Sequence, residues 1–313
     1  MNECPLLSVI IPAYNVEAYL DTCLSSLMAQ TYRPMQIVIV NDGSTDSTLD
    51  VAERWAAEYP NIEVVSQENR GLSGARNTGL MRARGELVAF LDSDDTFEGE
   101  HLLEAAVREL ERYPECDFVQ FAIEYIYSQE GRRQLRFKGE HAPLYGQEAL
   151  WTSWLPEGKD GISWTVWNKV YRRSFIDAFR FYPRLTYEDN FIVAQMLLNA
   201  RGVCFSSVGA YGYLQRSGSI TQSGYNVRHR RDMIFIYGEI LRLIEPYAGL
   251  ATVHRWVLRR LVCDAFDSFG KPGAAICRRM ARAYLPRNMW AVTGLPLDIR
   301  TKIKAIAILG ECF

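Results

Sequence analysis

The sequence predicts an α/β protein built on a doubly wound, mostly parallel mixed sheet with a helical C-terminal extension. Through residue 91, apolar segments of strand length alternate with segments of helical periodicity. That alternation is typical of consecutive strand–helix–strand units. Apolar residues make up 48% of the 313 residues, which is enough for a sizeable core.

Each element of the first part has a local reason in the sequence. Short unbroken apolar runs indicate strands that are buried on both faces, and apolar residues spaced by three and four indicate the helices between them. Gly71 and Gly85 bracket the third helix. The predicted strands are Ser8–Ile11, Gln36–Val40, Ile62–Val65 and Leu87–Leu91, and the predicted helices cover residues 15–28, 46–58 and 72–84.

Simple alternation ends after the fourth strand and a helix at residues 100–112. A longer strand at residues 117–127 leads through a turn to residues 134–137, so we expect a mixed sheet. A helix at residues 191–198 precedes two short strands, at residues 203–206 and 210–214, and the chain is helical from residue 225. We therefore expect an α/β domain over residues 1–224 and a helical region over 225–313.

Charge is distributed unevenly along the chain. Residues 1–224 hold 20 Lys and Arg against 30 Asp and Glu, whereas residues 225–313 hold 15 against 7. The basic helices could lie on an anionic membrane surface. Alternatively, they could pack on the α/β domain with their arginines solvated. Nucleic acid is not an expected partner, because the body is acidic and the basic region has no nucleic-acid-binding motif.

The cysteine pattern and the N-terminus predict a cytoplasmic protein, with the inner face of the membrane as a surface it could bind. The seven cysteines are scattered and form no CxxC pair, so neither a disulfide framework nor a zinc cluster is indicated. The N-terminal residues lack the basic and apolar regions of a signal peptide.

Polar residues follow three of the predicted strands, where ligands bind in an open α/β sheet. Asp92, Ser93 and Asp94 follow the fourth strand, Asp42 follows the second, and Pro12, Ala13 and Tyr14 end the first. Closely spaced carboxylates repel one another, and a hard divalent cation with phosphate oxygens would relieve this. The alternative is a pair of acidic turns with solvated carboxylates.

Arg76 lies in a segment of small residues, Gly71-Leu72-Ser73-Gly74-Ala75-Arg76-Asn77. Small residues permit close backbone approach, and an arginine there could pair with a phosphate. The alternative is a tightly packed helix in which Arg76 is solvated or paired with an acid.

Seven motifs, in order, resemble those of family-2 glycosyltransferases and together cover about residues 6–222. They are Ser8-Val9-Ile10-Ile11-Pro12-Ala13-Tyr14-Asn15, Val40-Asn41-Asp42-Gly43-Ser44-Thr45-Asp46, Gly71-Leu72-Ser73-Gly74-Ala75-Arg76-Asn77-Thr78-Gly79, Asp92-Ser93-Asp94-Asp95, Trp167-Asn168-Lys169, Tyr187-Glu188-Asp189 and Arg216-Ser217-Gly218-Ser219-Ile220. The helical region after residue 225 is outside the resemblance.

The resemblance implies a GT-A nucleotide-diphospho-sugar transferase fold, a nucleotide-diphosphate sugar donor and a divalent metal, Mn²⁺ or Mg²⁺. It assigns roles to matching positions of this chain: base contacts to Pro12, Ala13, Tyr14 and Asp42, base or phosphate contacts to Arg76, ribose and metal contacts to the Asp92-Ser93-Asp94 motif, pyrophosphate contact to Arg216, general base to Asp189 with Glu188 beside it, and an undefined donor-site role to Lys169. Many relatives carry another arginine where this chain has Leu214.

We therefore expect an inverting, metal-dependent transferase that moves a sugar from a UDP-sugar to a glycan or lipid-linked glycan acceptor in surface-polysaccharide assembly. Two alternatives remain open. Asp92-Ser93-Asp94-Asp95-Thr96 also fits the D-x-D-x-T motif of haloacid-dehalogenase-type phosphatases, with Asp92 as nucleophile. The second alternative is a non-catalytic protein that binds a sugar nucleotide.

Overall fold

The computed structural model describes residues 4–127, 130–154, 161–216, 226–285, 295 and 297–310. The chain divides into two compact units. The first comprises Met1–Arg184 and Met196–Ser219, and the second comprises Leu185–Gln195 and Ile220–Phe313. The domain limits expected from the sequence stay a prediction.

The first unit is built on one mixed sheet. Within the described residues its strands are β1 Leu7–Ala13, β2 Met35–Asn41, β3 Ile62–Ser66, β4 Leu87–Phe90, β5 Thr96–Glu98, β6 Phe118–Tyr127, β7 Arg132–Arg136, β8 Leu144–Tyr145, β9 Lys169–Arg172 and β10 Gly202–Gln215. Their order is β3-β2-β1-β4-β9-β6-β10-β5, with β7 beside β6 and β8 beside β10. Strands β1 to β4 are mutually parallel, and β9 is antiparallel to both β4 and β6.

Helices connect these strands and make up most of the second unit. Their bounds are α1 Leu20–Met28, α2 Thr48–Glu58, α3 Gly71–Arg82, α4 Leu102–Arg112, α5 Gln147–Trp154, α6 Arg173–Ile176, α7 Glu188–Asn199, α8 Val227–Ile244, α9 Ala251–Phe266, α10 Ala274–Arg282 and α11 Ile299–Gly310. No helix in the described ranges is long and apolar enough to span a membrane.

The core of the first unit is centred on β1. All seven of its residues are buried, because parallel neighbours flank it on both sides and helices cover the sheet. Helix α3 approaches β1 closely, since a Cβ at Gly79 would overlap the side chain of Ile10. This close packing sets the position of Arg76, one turn earlier on the same helix. The first four predicted strands and the doubly wound arrangement are confirmed.

Strand β10 corrects one prediction. The two short strands expected at residues 203–206 and 210–214 are a single strand, Gly202–Gln215, whose register with β6 shifts between Ser206 and Ala210. Gly209 has a φ of +69° at this irregularity, a conformation that favours glycine. The bulge interrupts the apolar pattern without ending the strand, which then continues as the neighbour of β6.

Several arginines of the second unit form ion pairs with aspartates of the same unit. Asp232 on α8 accepts hydrogen bonds from Arg231 and from the backbone and hydroxyl of Thr186. Asp264 on α9 accepts from Arg230. Both aspartates are buried, so these ion pairs satisfy charges that would otherwise be costly to bury. The expectation of a helical region is confirmed, but several of its arginines are paired rather than solvated.

Candidate active site

Three polar segments meet at one edge of the sheet because β1, β2 and β4 are parallel neighbours. Ala13 ends β1, and its carbonyl accepts a hydrogen bond from the backbone N–H of Asp42 over 2.9 Å. On the other side of β1, the N–H of Leu91 donates to the carbonyl of Ile10, immediately before Asp92. The residues that follow β1, β2 and β4 therefore share one sheet edge, as the sequence predicted.

Asp42 is buried with one carboxylate oxygen engaged. Its Oδ1 accepts a hydrogen bond from the side-chain amide of Gln67 at 2.6 Å and from the backbone N–H of Arg70 at 2.8 Å. Gln67 is held in turn by the hydroxyl of Thr78 on α3. In the described part of the chain, Oδ2 of Asp42 accepts no hydrogen bond, so this oxygen can serve a ligand N–H.

Arg76 is 1% exposed and pairs with the first aspartate of the D-x-D motif. Its guanidinium donates to Oδ1 of Asp92 at 2.7 Å, and it lies over the ring of Phe181 at 5.3 Å. Charge-assisted hydrogen bonds of this kind restrain both partners. Arg76 therefore orients Asp92 from inside the protein, as the alternative of a tightly packed helix with an acid-paired arginine predicted.

Asp94 pairs with Arg216. Both Nε and one terminal nitrogen of Arg216 donate to Oδ2 of Asp94, at 2.9 and 2.8 Å. The guanidinium also lies over the ring of Tyr19 at 4.8 Å. Burial, together with the neighbouring charge of Asp92, raises the pKa of Asp94 despite the opposing effect of Arg216. The two D-x-D carboxylates thus each carry one arginine.

Asp95 and Tyr211 tie the D-x-D loop to β10, a role that the sequence did not reveal. Asp95 accepts from the hydroxyl of Tyr211 and from the backbone N–H of Leu214, while the same hydroxyl accepts from the N–H of Asp92. Burial, reinforced by the neighbouring Asp94 and Asp92 charges, raises the pKa of Asp95 well above its ordinary value. The sequence feature that could have indicated this role is the third aspartate, which directly follows the D-x-D motif.

The remaining predicted donor contacts differ in accessibility. Pro12, Ala13 and Ser93 are buried, whereas the side chain of Tyr14 is 49% exposed at the end of β1. The side chain of Asn15, at a φ of +52°, accepts from the backbone N–H of Thr45 and joins the segments after β1 and β2. Tyr14 therefore presents an exposed ring at the end of β1, the strand paired with the one that precedes Asp42.

Lys169 is fully buried on β9. Its ammonium donates to the carbonyls of Ser163 and Thr165, the hydroxyl of Ser163 and the side-chain oxygen of Asn168. These bonds hold the 163–168 segment around one charge. The predicted contact of Lys169 with the donor stays a prediction.

Glu188 and Asp189 begin α7 and belong to the second unit. Glu188 is buried and Asp189 is partly exposed. Carboxylates are favoured at a helix N-terminus, which suits both positions. Their catalytic assignment stays a prediction.

The D-x-D pair fits a divalent cation that is shared with a ligand. Among the residues that the structure describes, no three His, Cys, Asp or Glu side chains form a protein-only metal cage. Mg²⁺ and Mn²⁺ usually bind through one or two carboxylates plus substrate phosphates. Asp92 and Asp94 supply hard oxygen donors. The two hydrogen bonds that Arg216 donates to Asp94 both go to the same oxygen, Oδ2.

Comparison with known proteins agrees with this geometry. Residues 8–179 match the sequence model described as Glycosyl transferase family 2. The chain is 31% identical over 265 residues to the uncharacterized glycosyltransferase YibD of Escherichia coli K12, covering 81% of this chain and 75% of that protein. The chain therefore belongs to glycosyltransferase family 2.

Solved structures show the same fold. The S. aureus TarS 1-349 complex with UDP matches with a TM-score of 0.71 and 21% identity, over 97% of this chain and 88% of that chain. The mannosyltransferase PcManGT of Pyrobaculum calidifontis, in complex with GDP-Man and Mn2+, matches with a TM-score of 0.57 and 17% identity, over 98% and 88%. The fold is GT-A, and the family assignment replaces the phosphatase alternative for Asp92.

Proposed function

We propose that this glycosyltransferase transfers one sugar from a UDP-sugar to a hydroxyl of a glycan or lipid-linked glycan acceptor, in a divalent-metal-dependent reaction that inverts the anomeric centre. The observation that carries the proposal is the sheet edge at which Asp42 follows β2 while Asp92 and Asp94 follow β4, the two parallel strands on either side of β1. TarS, which shares the fold, binds UDP, and PcManGT binds a sugar nucleotide with Mn2+.

The nucleotide would bind at the end of β1 and β2. Oδ2 of Asp42 accepts a uracil N–H, while Oδ1 remains held by Gln67 and Arg70. The ring of Tyr14, which is 49% exposed, is available to the base. A buried acceptor that loses its partner is costly, so this arrangement would favour a base that presents an N–H.

The diphosphate would bind at the D-x-D loop. Asp92 and Asp94 would hold the cation, which when bound supplies Lewis-acid neutralisation of the departing diphosphate. Arg76 orients Asp92 through its 2.7 Å contact. Arg216 can turn its donors from Asp94 to the phosphate oxygens, where guanidinium geometry is favourable.

Asp189 is proposed as the general base, with Glu188 as its neighbour. It would accept the proton of the acceptor hydroxyl, whose oxygen then attacks the anomeric carbon from the face opposite the diphosphate. General-base assistance is worth about 10²–10⁴-fold in rate. With one base and no carboxylate nucleophile assigned, the reaction is a single displacement with inversion.

Surface-polysaccharide assembly and attachment to the inner face of the membrane belong to the proposal as its biological setting. The basic helices support a membrane contact only in part. Arg228, Arg230 and Arg231 already pair with buried aspartates, so their charges are partly neutralised. The exposed Ile299 and Ile303 of α11 could contact lipid instead. Vesicle co-sedimentation with anionic and neutral lipids would test this setting separately from catalysis.

The test is a donor screen with UDP-glucose, UDP-galactose, UDP-N-acetylglucosamine and GDP-mannose in the presence and absence of Mn²⁺. We expect slow release of nucleoside diphosphate from a UDP-sugar, dependent on the metal. Asp94→Ala should abolish it, whereas Asp50→Ala, at an exposed position on α2, should not. UDP binding without hydrolysis or transfer would instead support a non-catalytic binding protein.

A further inference from the structure

A continuous row of aromatic rings lies on one face of the first unit's sheet. The ring centroids of Trp167 lie 4.1 Å from those of Tyr211 and 5.4 Å from Tyr213 in stacked arrangements. Tyr213 meets Tyr125 edge-on at 5.3 Å, and Tyr125 stacks with Tyr127 at 6.5 Å. Trp167 is buried, whereas the three outer tyrosines are partly exposed.

The register of two parallel strands produces this row. Tyr211 and Tyr213 alternate along β10, and Tyr125 and Tyr127 alternate along β6, so each pair shares a face. Tyr213 lies opposite Tyr125, and Gln215 lies opposite Tyr127. The pairing of β6 with β10 therefore brings the four tyrosines of the row together.

The inner end of the row touches the proposed donor site. The hydroxyl of Tyr211 accepts from the backbone N–H of Asp92. Gln215 is followed directly by Arg216, which pairs with Asp94. Tyr127 is the cross-strand neighbour of Gln215, so the backbones of these two residues lie about 4.8 Å apart, which is one strand spacing. The outer tyrosines are therefore close to the end of β10, which binds the D-x-D loop.

Two arginines of β7 cover the outer end of the row. The guanidinium carbon of Arg132 lies 3.9 Å from the ring centroid of Tyr127, and that of Arg136 lies 5.0 Å from Tyr125. Stacking leaves the edge N–H groups of a guanidinium free to bind an anion. Arg133, between them, pairs with Glu98 and Glu124 instead.

The charges of these two arginines are incompletely neutralised. Arg136 is exposed and forms no ion pair with any residue that the structure describes. Arg132 pairs with Glu130, and both side chains are at least half exposed, so the pair is weak and easily exchanged. Five residues of β7 thus carry three arginines and no acid, in a part of the chain that is acidic overall.

We propose that Tyr125, Tyr127 and Tyr213, with Arg132 and Arg136, form an acceptor subsite for a glycan that carries carboxylate or phosphate groups. This rests on the proposed glycosyltransferase function. Sugar C–H groups pack on the electron-rich faces of tyrosine rings, and the arginines bind the anionic substituents in bidentate geometry. The row leads the glycan from β7 to the donor site.

The test uses the full chain with UDP and Mn²⁺ on three immobilised sets of oligosaccharides. One set contains uronic acids, the second contains phosphodiester groups, and the third is the uronic-acid set after carboxyl reduction. We expect wild-type protein to bind one of the anionic sets and to bind the reduced set at least about tenfold more weakly. The anionic set that binds identifies the group that the arginines recognise.

Variants separate the subsite from general effects. The double variant Arg132→Gln/Arg136→Gln should weaken anionic glycan binding about tenfold or more, whereas the matched variant Arg133→Gln, on the opposite face of β7, should leave it within about twofold. Tyr127→Ala should weaken binding, and Tyr127→Phe should retain it because the ring remains. UDP binding should be unchanged in all four.

Three results would overturn the subsite: no binding to any set, equal binding to anionic and reduced sets, or equal losses in the Arg132/Arg136 and Arg133 variants. Failure of the glycosyltransferase proposal gives a different result, because wild-type protein would then hydrolyse no donor, whether or not it binds UDP with Mn²⁺. A subsite failure leaves donor hydrolysis intact.

Discussion

Arg216 holds Asp94 through two N–H donors that both reach Oδ2, at 2.9 and 2.8 Å. Asp94 is also a carboxylate proposed to bind the metal. One side chain therefore has two prospective cationic partners, the guanidinium and the divalent ion. The departure of Arg216 towards a diphosphate would make Asp94 available when the donor arrives, so metal and donor should bind cooperatively.

Replacing Arg216 with methionine should uncouple these two events. Mn²⁺ should bind the free Arg216→Met protein several-fold more tightly than wild type, because the competing cation is absent. UDP should bind about tenfold or more weakly in the presence of Mn²⁺, since a charge-assisted hydrogen bond is worth about 1.5–3 kcal/mol. Titration calorimetry measures both the Mn²⁺ affinity without UDP and the UDP affinity with Mn²⁺. An unchanged Mn²⁺ affinity without UDP would show that Arg216 does not compete.

The pKa of Asp94 makes metal binding sensitive to pH. Burial and the charge of Asp92 raise this pKa above the ordinary value of 3.8, and only the ionised carboxylate binds a cation well. The apparent Mn²⁺ affinity should therefore fall as the pH is lowered towards the raised pKa, beginning at a higher pH than for an ordinary aspartate. Asp94→Asn should bind weakly with a shallower pH dependence. A wild-type profile that begins to fall at no higher pH than that of an ordinary aspartate would contradict this.

Asp42→Asn is a near-isosteric test of base recognition. The amide oxygen can still accept from Gln67 and Arg70, but an NH₂ group replaces the oxygen that faces the ligand. We expect the thermal midpoint to change little and UDP affinity to fall about tenfold or more, because two N–H groups would face each other at a cost of about 1–3 kcal/mol. If the variant binds UDP like wild type, Asp42 does not recognise the base.

Asp189→Asn should separate donor binding from transfer. The substitution removes a base without removing the proposed donor contacts, so UDP affinity should stay within about twofold while transfer falls about 10²–10⁴-fold. Single-turnover assays with a saturating UDP-sugar measure the chemical step. Normal transfer by this variant would show that the base assignment is wrong, and Glu188→Gln would then be the next variant.

Lys169→Met should report on stability. The ammonium of Lys169 donates to four oxygens of Ser163, Thr165 and Asn168 inside the protein. Methionine fills a similar volume but removes the charged donor from the buried carbonyls of Ser163 and Thr165, while the hydroxyls of Ser163 and Thr165 still donate to Asn168; the free energy of unfolding should therefore fall by about 3 kcal/mol or more. Chemical denaturation measures this. A loss of UDP affinity with unchanged stability would instead support the predicted donor contact.

The sequence alone was sufficient to predict the parallel half of the sheet, strands β1 to β4. Strands β1, β2 and β4 are short, mostly apolar runs that are buried throughout, and a strand buried on both faces requires such a run. The placement of Asp42 and Asp92 on one edge followed from parallel topology. The irregular strand β10 was divided in two, because its bulge near Gly209 breaks the periodicity on which strand prediction depends.

Sequence alone identified the candidate site residues, but only tertiary structure decided their partners. Arg76 was an arginine among small residues, and packing of α3 on β1 brings it to Asp92. Asp95 and Tyr211 are 116 positions apart and bond because β10 returns beside the D-x-D loop. The aromatic row likewise depends on register between β6 and β10. Local patterns encode which face a residue occupies, whereas pairings across such separations require the whole sheet to form.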